Sequence, residues 1–199
     1  MRSLYRQILQ TPAVENAQKN VFGRIGKIPD MFGMVTPMGR SEIEYIRARD
    51  SFYLATVSES GWPYVQHRGG PAGFLKVVGN KKLCFLDRPG NRQLFSIGNI
   101  ESSEKVSLFL MDYVARERLK ILGKARVINW GEEPEVDAEF DFADAEKSTH
   151  KVFVIDVIAF DWNCPKHITP RYVQEDIEEA LKEYRDRIQE LEALLSEKN

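Results

Sequence analysis

From residue 51 onward, apolar and polar positions follow the short period of β-strands rather than that of helices. The segments with this pattern are rich in β-branched and aromatic residues, and most are separated by turns that contain glycine, proline or asparagine. These segments are residues 51–58, 63–67, 74–78, 82–86, 106–111, 119–129 and 152–160. Six or seven strands at this spacing predict a mainly β fold with flanking helices, built on a closed or nearly closed antiparallel barrel.

Residues 1–40 have the longer period of helices and predict a helical arm in front of the barrel. Thr11 precedes Pro12, which is the order of an N-cap residue and the first residue of a helix. That helix is expected to end in the stretch that contains Gly23, Gly26, Pro29 and Gly33, because glycine and proline are common where helices stop. The apolar residues 31–35 are expected to lie against the barrel or against a partner subunit.

Two further helical segments are predicted close to the strands. Ser41 and Glu44 have the spacing of a capping box, which would open a helix that ends near Arg49 and leads into the first strand. Residues 132–146 are acidic and are expected to form a short helix and a loop on the surface. The few apolar anchors of this acidic segment are Val136, Phe140 and Phe142.

Residues 172–199 predict one long amphipathic helix, for which Thr169 and Pro170 supply a start. Its apolar residues recur at spacings of three and four, and the opposite face is almost wholly charged. These apolar residues are Ile177, Leu181, Tyr184, Ile188, Leu191 and Leu195. Such a stripe suits a dimerising coiled coil or a helix that packs on its own domain. Residues 41–171 would then form the barrel domain between the arm and this helix.

The composition restricts the class of protein. A chain of 199 residues can bury the core of one domain with helical additions. Its 28 basic and 30 acidic residues give a net charge of −2, which does not favour nucleic-acid binding. We expect neither a membrane span nor a signal peptide, because no apolar segment has the required pattern. The two cysteines, Cys84 and Cys164, are too distant in sequence to suggest a disulfide framework, so a cytoplasmic location is expected.

Cationic side chains and glycines meet in two segments, residues 67–76 and 87–93, each beside a strand-like run. Glycine lets the backbone approach a phosphate closely, and arginine or lysine supplies the opposite charge. We expect Asn91 to cap a short helix, so that its free N–H groups and the Arg92 guanidinium converge on one phosphate. The first segment adds two more cations, Arg68 and Lys76. A glycine-rich surface turn with solvated arginines is the alternative interpretation of the spacing.

Taken in order, short motifs along the chain resemble the pyridoxamine 5'-phosphate oxidase-like family of flavin-nucleotide-binding proteins. The resemblance covers residues 41–171 and is specific as a set. Its motifs are residues 51–57, 61–63, 66–71, 73–74, 90–92, 110–113 and 118–127. Where the oxidase has Ser-Arg-Lys after its third strand, this chain has Asn91, Arg92 and Gln93. Because one cation is missing there, the resemblance is to the broad flavin-binding group rather than to the vitamin B6 oxidase itself.

The resemblance implies a six- to seven-stranded split β-barrel that binds flavin mononucleotide (FMN) between the subunits of a homodimer, with flavin adenine dinucleotide (FAD) as an alternative. The cofactor-binding residues implied are His67, Arg68, Gly69, Phe74, Lys76, Leu86, Asp87, Gly90, Asn91, Arg92, Gln93 and Trp162. Packing in the core is an equally good interpretation of Trp162. The flavin would supply the redox chemistry, so the sequence demands no catalytic acid or base, and none is assigned.

The predicted function is that of an FMN-dependent oxidoreductase that acts on an unidentified small molecule. NADH and NADPH are candidate electron donors, and the sequence does not identify the donor. A non-catalytic module that binds flavin or another anion for sensing or storage is the main alternative. A structural coiled-coil protein whose barrel binds nothing fits the clustered glycines and cations least well. The histidines are scattered and no Cys or His pair has zinc-ligand spacing, so no metal site is expected.

Overall fold

The computed structural model describes residues 4–26, 37–162 and 165–196. The helices of this part are α1 (Leu4–Leu9), α2 (Pro12–Phe22), α3 (Arg40–Arg47), α4 (Phe95–Ser102), α5 (Pro134–Asp137), α6 (Phe142–Glu146) and α7 (Gln174–Ser196). The strands are β1 (Ser51–Val57), β2 (Pro63–Gly69), β3 (Lys76–Val78), β4 (Lys82–Leu86), β5 (Lys105–Asp112), β6 (Glu117–Asn129) and β7 (Lys151–Trp162). Each predicted strand therefore exists. Strands β2, β5, β6 and β7 run further than the sequence pattern predicts, whereas β3 begins at Lys76, two residues later than predicted.

The strands form one antiparallel sheet in the order β2-β1-β5-β6-β7-β4-β3. The prediction of a mainly β fold with flanking helices is confirmed. Strands β2 and β3 are the two edges of the sheet, so the described strands form a split barrel that is not closed. The edges matter for function, because the segments that carry the predicted phosphate-binding cations lie next to them.

The long pair β6–β7 contains a β-bulge between Leu122 and Gly123. Glycine is required at position 123 because a Cβ atom there would lie 2.5 Å from Cγ2 of Ile155 and 2.9 Å from the carbonyl oxygen of Asp156. A bulge bends its strand and increases the local twist of a sheet. This position therefore helps the two longest strands to curve around the core.

One face of the sheet carries a large apolar cluster. Along β1 burial alternates, so that Phe52, Leu54 and Thr56 face the interior. Phe85 of β4 and Phe153 of β7 are stacked, with ring centroids 4.6 Å apart and planes inclined by 13°. These two rings lie beneath the end of β4, from which the predicted phosphate-binding loop departs.

Strands β4 and β7 also carry apolar side chains on their other face, where α5 covers them. This second cluster consists of Cys84, Leu86, Val136, Val152 and Val154. Val136 is thus confirmed as an anchor of the acidic segment, and Phe140 packs against the same cluster. Phe142 is not an anchor, because it starts the short helix α6 with 70% of its surface exposed. The acidic segment therefore folds back over β4, next to the loop that follows it.

The predicted start of the second helix is confirmed, and the helix ends at the first of the predicted glycines. Oγ1 of Thr11 accepts a hydrogen bond from the N–H of Val14 at 3.4 Å, and Pro12 is the first residue of α2. Gly23 ends the helix with a φ of 67°, the left-handed conformation that glycine adopts readily. Residues 31–35, which were expected to pack against the barrel or a partner, lie outside the described residues.

The predicted capping box at Ser41 and Glu44 is wrong. Helix α3 begins at Arg40, and Oε2 of Glu42 accepts the N–H of Gly39 at 2.8 Å. This earlier start makes Glu42 the third helical residue, which is the position from which a glutamate reaches back to the cap. Glu44 instead forms an ion pair with Arg40 on the helix surface, at 2.7 Å.

The predicted C-terminal helix is confirmed as α7, but it begins at Gln174 rather than at Thr169 or Pro170. The N–H of Val173 donates to Oδ2 of Asp176 at 3.4 Å, so the carboxylate of Asp176 serves as the helix cap. No residue of α7 is buried within a single chain. None of the described helices combines the length and the apolar character of a membrane span.

Candidate functional site

The alternation of side chains along the edge strand β2 places two sets of residues on opposite faces. Tyr64, Gln66 and Arg68 are partly buried and face the loop that follows β4. Val65 and His67 are exposed on the other face, where the His67 ring meets an aromatic ring of β1 at 5.6 Å. Arg68 and His67, although adjacent in sequence, therefore cannot contact the same small group within one chain.

Arg68 forms an ion pair with Asp87, the residue directly after β4. Nη1 of Arg68 lies 2.8 Å from Oδ1 of Asp87, and only 13% and 8% of the two side chains are exposed. Oγ1 of Thr149 donates to the second carboxylate oxygen, Oδ2, at 3.0 Å. The guanidinium carbon lies 5.5 Å from the ring centre of Phe85 and 4.9 Å from that of Phe153. The pair is therefore held rigidly between a hydrogen-bonded carboxylate and the aromatic core.

One donor of Arg68 is not used by the protein. Its Nε is buried and has no hydrogen-bond partner among the residues that the structure describes. A buried donor without an acceptor costs about 1–3 kcal/mol, so native proteins seldom leave one without a reason. Because Arg68 lines a cavity, an acceptor oxygen on a ligand there would satisfy this donor.

The loop after β4 does not form the helix cap predicted at Asn91. Oδ1 of Asn91 accepts the N–H of Gln93 at 3.1 Å, and Nδ2 donates to Oε1 of Gln93 at 2.8 Å. Arg92 and Leu94 have φ values of 61° and 54°, which interrupt a right-handed helix, and α4 begins only at Phe95. Asn91 therefore closes a turn that presents Arg92, and the helix that it was expected to cap starts later in the chain.

These elements enclose a cavity of about 360 Å³ between β2, the loop after β4, Thr149 and the first turn of α4. Half of the predicted cofactor-binding residues line it. They are Arg68, Asp87, Gly90, Asn91, Arg92 and Gln93. With the three arginines Arg68, Arg88 and Arg92 and the single carboxylate of Asp87, the lining has a formal charge of +2.

Several lining residues were not among the predicted site residues. Arg88 was passed over although it stands between two predicted residues. Tyr64 and Gln66 could have been found from strand periodicity, because they precede Arg68 at steps of two. Ser96 reaches the cavity from α4 and donates to Oε1 of Gln66 at 2.8 Å. Thr149 carries no local signal, since it meets Asp87 only through the pairing of β4 with β7.

The remaining predicted residues lie elsewhere. Phe74, Lys76 and Leu86 line a smaller neighbouring cleft, which shares Arg88 with the cavity. His67 and Gly69 are among the lining residues of neither space. The first segment of the sequence, residues 67–76, is therefore divided between two faces of β2 and two neighbouring clefts.

Trp162 lies at the end of β7 that is far from the cavity. The N–H of Asp87 donates to the carbonyl of Lys151 at the start of β7, and a strand of twelve residues spans roughly 36 Å. Nε1 of Trp162 donates to Oε1 of Glu42 at 2.7 Å, and its ring lies edge-on to Tyr45 at 4.7 Å. Within one chain, Trp162 thus packs against α3 and the core and does not meet the arginines of the cavity.

The other candidate chemistry is weak. Burial raises the pKa of the Cys84 thiol to about 12, so almost none of the nucleophilic thiolate is present at neutral pH. Cys164 lies outside the described residues. In the parts of the chain that the structure describes, no group of three or more His, Cys, Asp or Glu side chains could hold a metal ion. The arginine-lined cavity is therefore the best-supported site in the described structure.

The antiparallel sheet with its flanking helices is a split-barrel fold of the kind that the sequence motifs imply. A family model described as pyridoxamine 5'-phosphate oxidase matches residues 42–161, more than half of the chain. The chain belongs to the pyridoxamine 5'-phosphate oxidase family, and the predicted resemblance is confirmed over residues 42–161. The match contains the entire cavity lining and the neighbouring cleft.

Solved structures of HupZ from Group A Streptococcus agree with this fold. One is 15% identical over 68% of this chain and 100% of that chain, with a TM-score of 0.51. Another, of a HupZ variant, is 17% identical over 65% and 100% of the two chains, with a TM-score of 0.50. A putative pyridoxamine 5'-phosphate oxidase from Lactobacillus delbrueckii is 19% identical over 65% and 97%, with a TM-score of 0.48. No curated protein sequence matches the chain.

Proposed function

We propose that the protein binds FMN and uses it as an oxidoreductase that acts on a small molecule. Membership of the family supports flavin binding. The observation that carries the proposal is the nearly buried Arg68, whose Nε lacks a partner among the described residues and which shares its cavity with Arg88 and Arg92. A purely structural ion pair would need neither the unused donor nor two further arginines around an open cavity.

A phosphomonoester fits this cavity in charge, geometry and size. It carries about −1.5 to −2 charges at neutral pH and three strong acceptor oxygens, which match the excess of cations in the lining. Guanidinium groups bind phosphate through paired N–H bonds, and Arg68 would gain an acceptor for its Nε. The first turn of α4 borders the cavity and adds the positive end of a helix dipole. The volume of about 360 Å³ is within the usual range for ligand sites.

These features favour FMN over FAD, because FMN ends in a phosphomonoester whereas FAD continues through a pyrophosphate. In this proposal Arg68, Arg88 and Arg92 hold the phosphate. Asp87 positions Arg68, and the bonded pair of Asn91 with Gln93 holds the loop that presents Arg92. The flavin, when bound, would supply two-electron redox chemistry, while the chain supplies binding and orientation.

A homodimer is the second part of the proposal. The apolar stripe of α7 is exposed within one chain, with 48% of Ile177, 42% of Leu181 and 43% of Leu191 accessible to solvent. A second copy of the helix would cover this stripe in the manner of a coiled coil. Contacts of His67 or Trp162 with a flavin would then come from a second subunit, since neither residue reaches the cavity of its own chain.

The dimer can be tested with two charge-introducing variants of neighbouring residues in α7. Leu181→Glu places a carboxylate in the apolar stripe and should shift the protein from dimer toward monomer in sedimentation velocity at micromolar concentration. Lys182→Glu introduces the same side chain on the charged face and should leave the dimer unchanged. Equal sedimentation of both variants and the wild type would show that α7 does not carry the association.

An anaerobic experiment separates an oxidoreductase from a binding module. FMN-loaded protein should lose its visible flavin absorbance when it is mixed with NADH or NADPH, and the colour should return when air is admitted. The rate should exceed that of free FMN with the same donor by at least about tenfold, because the protein orients the two reactants. Absorbance that persists with both donors would favour the non-catalytic module that the sequence left as the alternative.

A further inference from the structure

The N-terminal arm is anchored to the sheet through α1. Tyr5 is only 8% exposed, and the ammonium group of Lys120 in β6 lies 4.7 Å from the centre of its ring. Arg6 faces β7, where its Nε lies 3.6 Å from Oδ1 of Asp161. These contacts fix the place on the sheet from which the second helix of the arm, α2, departs.

Helix α2 is well defined locally, but it buries none of its residues. The side-chain amides of Gln10 and Gln18 exchange two hydrogen bonds, of 3.1 Å and 3.3 Å, which join α2 to the end of α1. Four apolar side chains on α2 and the turn after it are open to solvent, namely Val14 at 38%, Val21 at 71%, Phe22 at 72% and Ile25 at 45%. A helix of eleven residues is marginally stable in water without packing, so this face calls for a surface that covers it.

The apolar stripe of α7 is wider than a two-stranded coiled coil needs. Ala180 follows Ile177 by three positions, and Leu194 follows Leu191 by three, so both widen the stripe on the same side. Leu194 is 47% exposed. A two-stranded coiled coil covers a seam of two positions in seven, whereas a helix of a larger bundle has apolar residues at three. Pairing with a second α7 would therefore leave this flank of α7 open to another helix.

The charges of the two helices are opposite in sign. Helix α7 carries eight carboxylates and three cations, which gives a formal charge of −5. Residues 12–26, which contain α2 and the turn after it, carry Lys19 and Arg24 against the single carboxylate of Glu15. Two copies of α7 repel each other through their net charge, and a cationic helix beside them would reduce that repulsion. Charge therefore favours α2 as the helix on the open flank.

Both helices lie outside residues 42–161, the part of the chain that the family model matches. Their surfaces are therefore additions to the barrel that the family model describes. From the exposed face of α2, the wide stripe of α7 and their opposite charges, we infer that α2 of each chain packs on the open flank of α7 of a second copy. The inference rests on the homodimer proposed above and adds a second contact to it.

The lengths of the helices fit this arrangement. The eleven residues of α2 span about 16 Å, and the 23 residues of α7 span about 35 Å. Each α7 can therefore receive one α2 along half of its length. A dimer then contains two copies of each helix, which is the composition of a four-helix bundle.

The test places the photo-reactive amino acid benzoylphenylalanine at position 22 of the full-length protein, in place of Phe22. This protein is mixed with an equal amount of wild-type protein labelled with nitrogen-15, and the two are left to exchange subunits before irradiation. Mass spectrometry should then find position 22 joined to labelled peptides of α7. Phe142 is the matched control, because it is also an exposed phenylalanine, at 70% against 72% for Phe22, but lies on α6. The same replacement at position 142 should yield no labelled α7 peptide.

Two neighbouring substitutions in α2 measure the strength of the contact. Val21→Glu places a carboxylate on the apolar face and next to the acidic α7, so it should raise the dissociation constant of the dimer by at least about tenfold in sedimentation experiments. Asn20→Glu introduces the same side chain on the opposite, polar face of α2 and should change that constant by less than about threefold.

Three results would overturn the inference. They are cross-links from position 22 to unlabelled α7 alone, which would place the contact within one chain, equal yields of labelled α7 peptide from positions 22 and 142, and equal dissociation constants for Val21→Glu and Asn20→Glu. A dimer that persists without the labelled cross-link removes only the contact of α2 with α7, whereas a protein that is monomeric throughout also removes the proposed homodimer. None of these measurements uses flavin, so a failure of FMN binding leaves the inference intact.

Discussion

Arg92→Ala is expected to weaken FMN binding by about tenfold to a hundredfold and to change riboflavin binding far less. The substitution removes a charge-assisted contact of about 1.5–3 kcal/mol with the phosphate, and about 1.4 kcal/mol corresponds to each factor of ten. Riboflavin lacks the phosphate and so has no such contact to lose. Quenching of flavin fluorescence in titrations with both ligands measures the two dissociation constants.

Arg116→Ala is the matched control for this variant. Arg116 is also an exposed arginine with a left-handed backbone, with a φ of 57° against 61° for Arg92, but it does not line the cavity. Both substitutions therefore place alanine at a similar positive φ and remove one positive charge, and only Arg92→Ala should affect FMN binding. An equal loss of affinity for FMN and riboflavin in Arg92→Ala would mean that this side chain shapes the ring pocket or the loop rather than the phosphate site.

Asp87→Ala is expected to lower the free energy of unfolding by about 3 kcal/mol. It leaves the Arg68 guanidinium nearly buried without its carboxylate. It also removes the carboxylate acceptor of the Thr149 hydroxyl, which keeps the carbonyl oxygen of residue 87 at 3.3 Å. Breaking a buried pair from one side costs about 3–5 kcal/mol, and the lower value applies because 13% of the Arg68 side chain remains exposed. Chemical denaturation followed by circular dichroism measures the change.

The Asp87→Ala variant also tests whether the phosphate of FMN contacts Arg68. With the Asp87 carboxylate removed, a bound phosphate takes its place as counter-ion of Arg68, so saturating FMN should raise the melting temperature of Asp87→Ala more than that of the wild type. Glu104→Ala breaks the exposed pair with Lys124 and should cost at most about 1 kcal/mol, with the wild-type response to FMN. If FMN raised the melting temperatures of Asp87→Ala and Glu104→Ala equally, Arg68 would not contact the phosphate of FMN.

The strands were predictable because each is a local pattern of alternating burial, as β1 shows with Phe52, Leu54 and Thr56 facing inward. Closure of the barrel was not predictable, because it depends on whether the edges β2 and β3 meet, and the sequence carries no signal for that. The end of the acidic segment was misjudged at Phe142, since a single aromatic residue in a polar stretch looks like an anchor whether or not a surface is available beneath it.

The sequence identified the cationic segments of the site, but it did not predict how their side chains contact one another. The expected cap at Asn91 failed because the side chain of Asn91 has a competing local partner in Gln93. The ion pair of Arg68 with Asp87 joins two segments that looked independent, and the Thr149 bond to Asp87 spans 62 residues. Contacts of this kind arise from strand pairing, which local spacing cannot reveal.

The measurement that tests the central proposal most directly is the visible absorbance spectrum of the purified protein after incubation with FMN and removal of unbound ligand. The proposal predicts a yellow protein with about one flavin per chain and release on denaturation of a molecule with the mass of FMN. A colourless protein that also fails to quench FMN fluorescence at micromolar concentration would contradict the assignment of the arginine-lined cavity as a flavin-phosphate site.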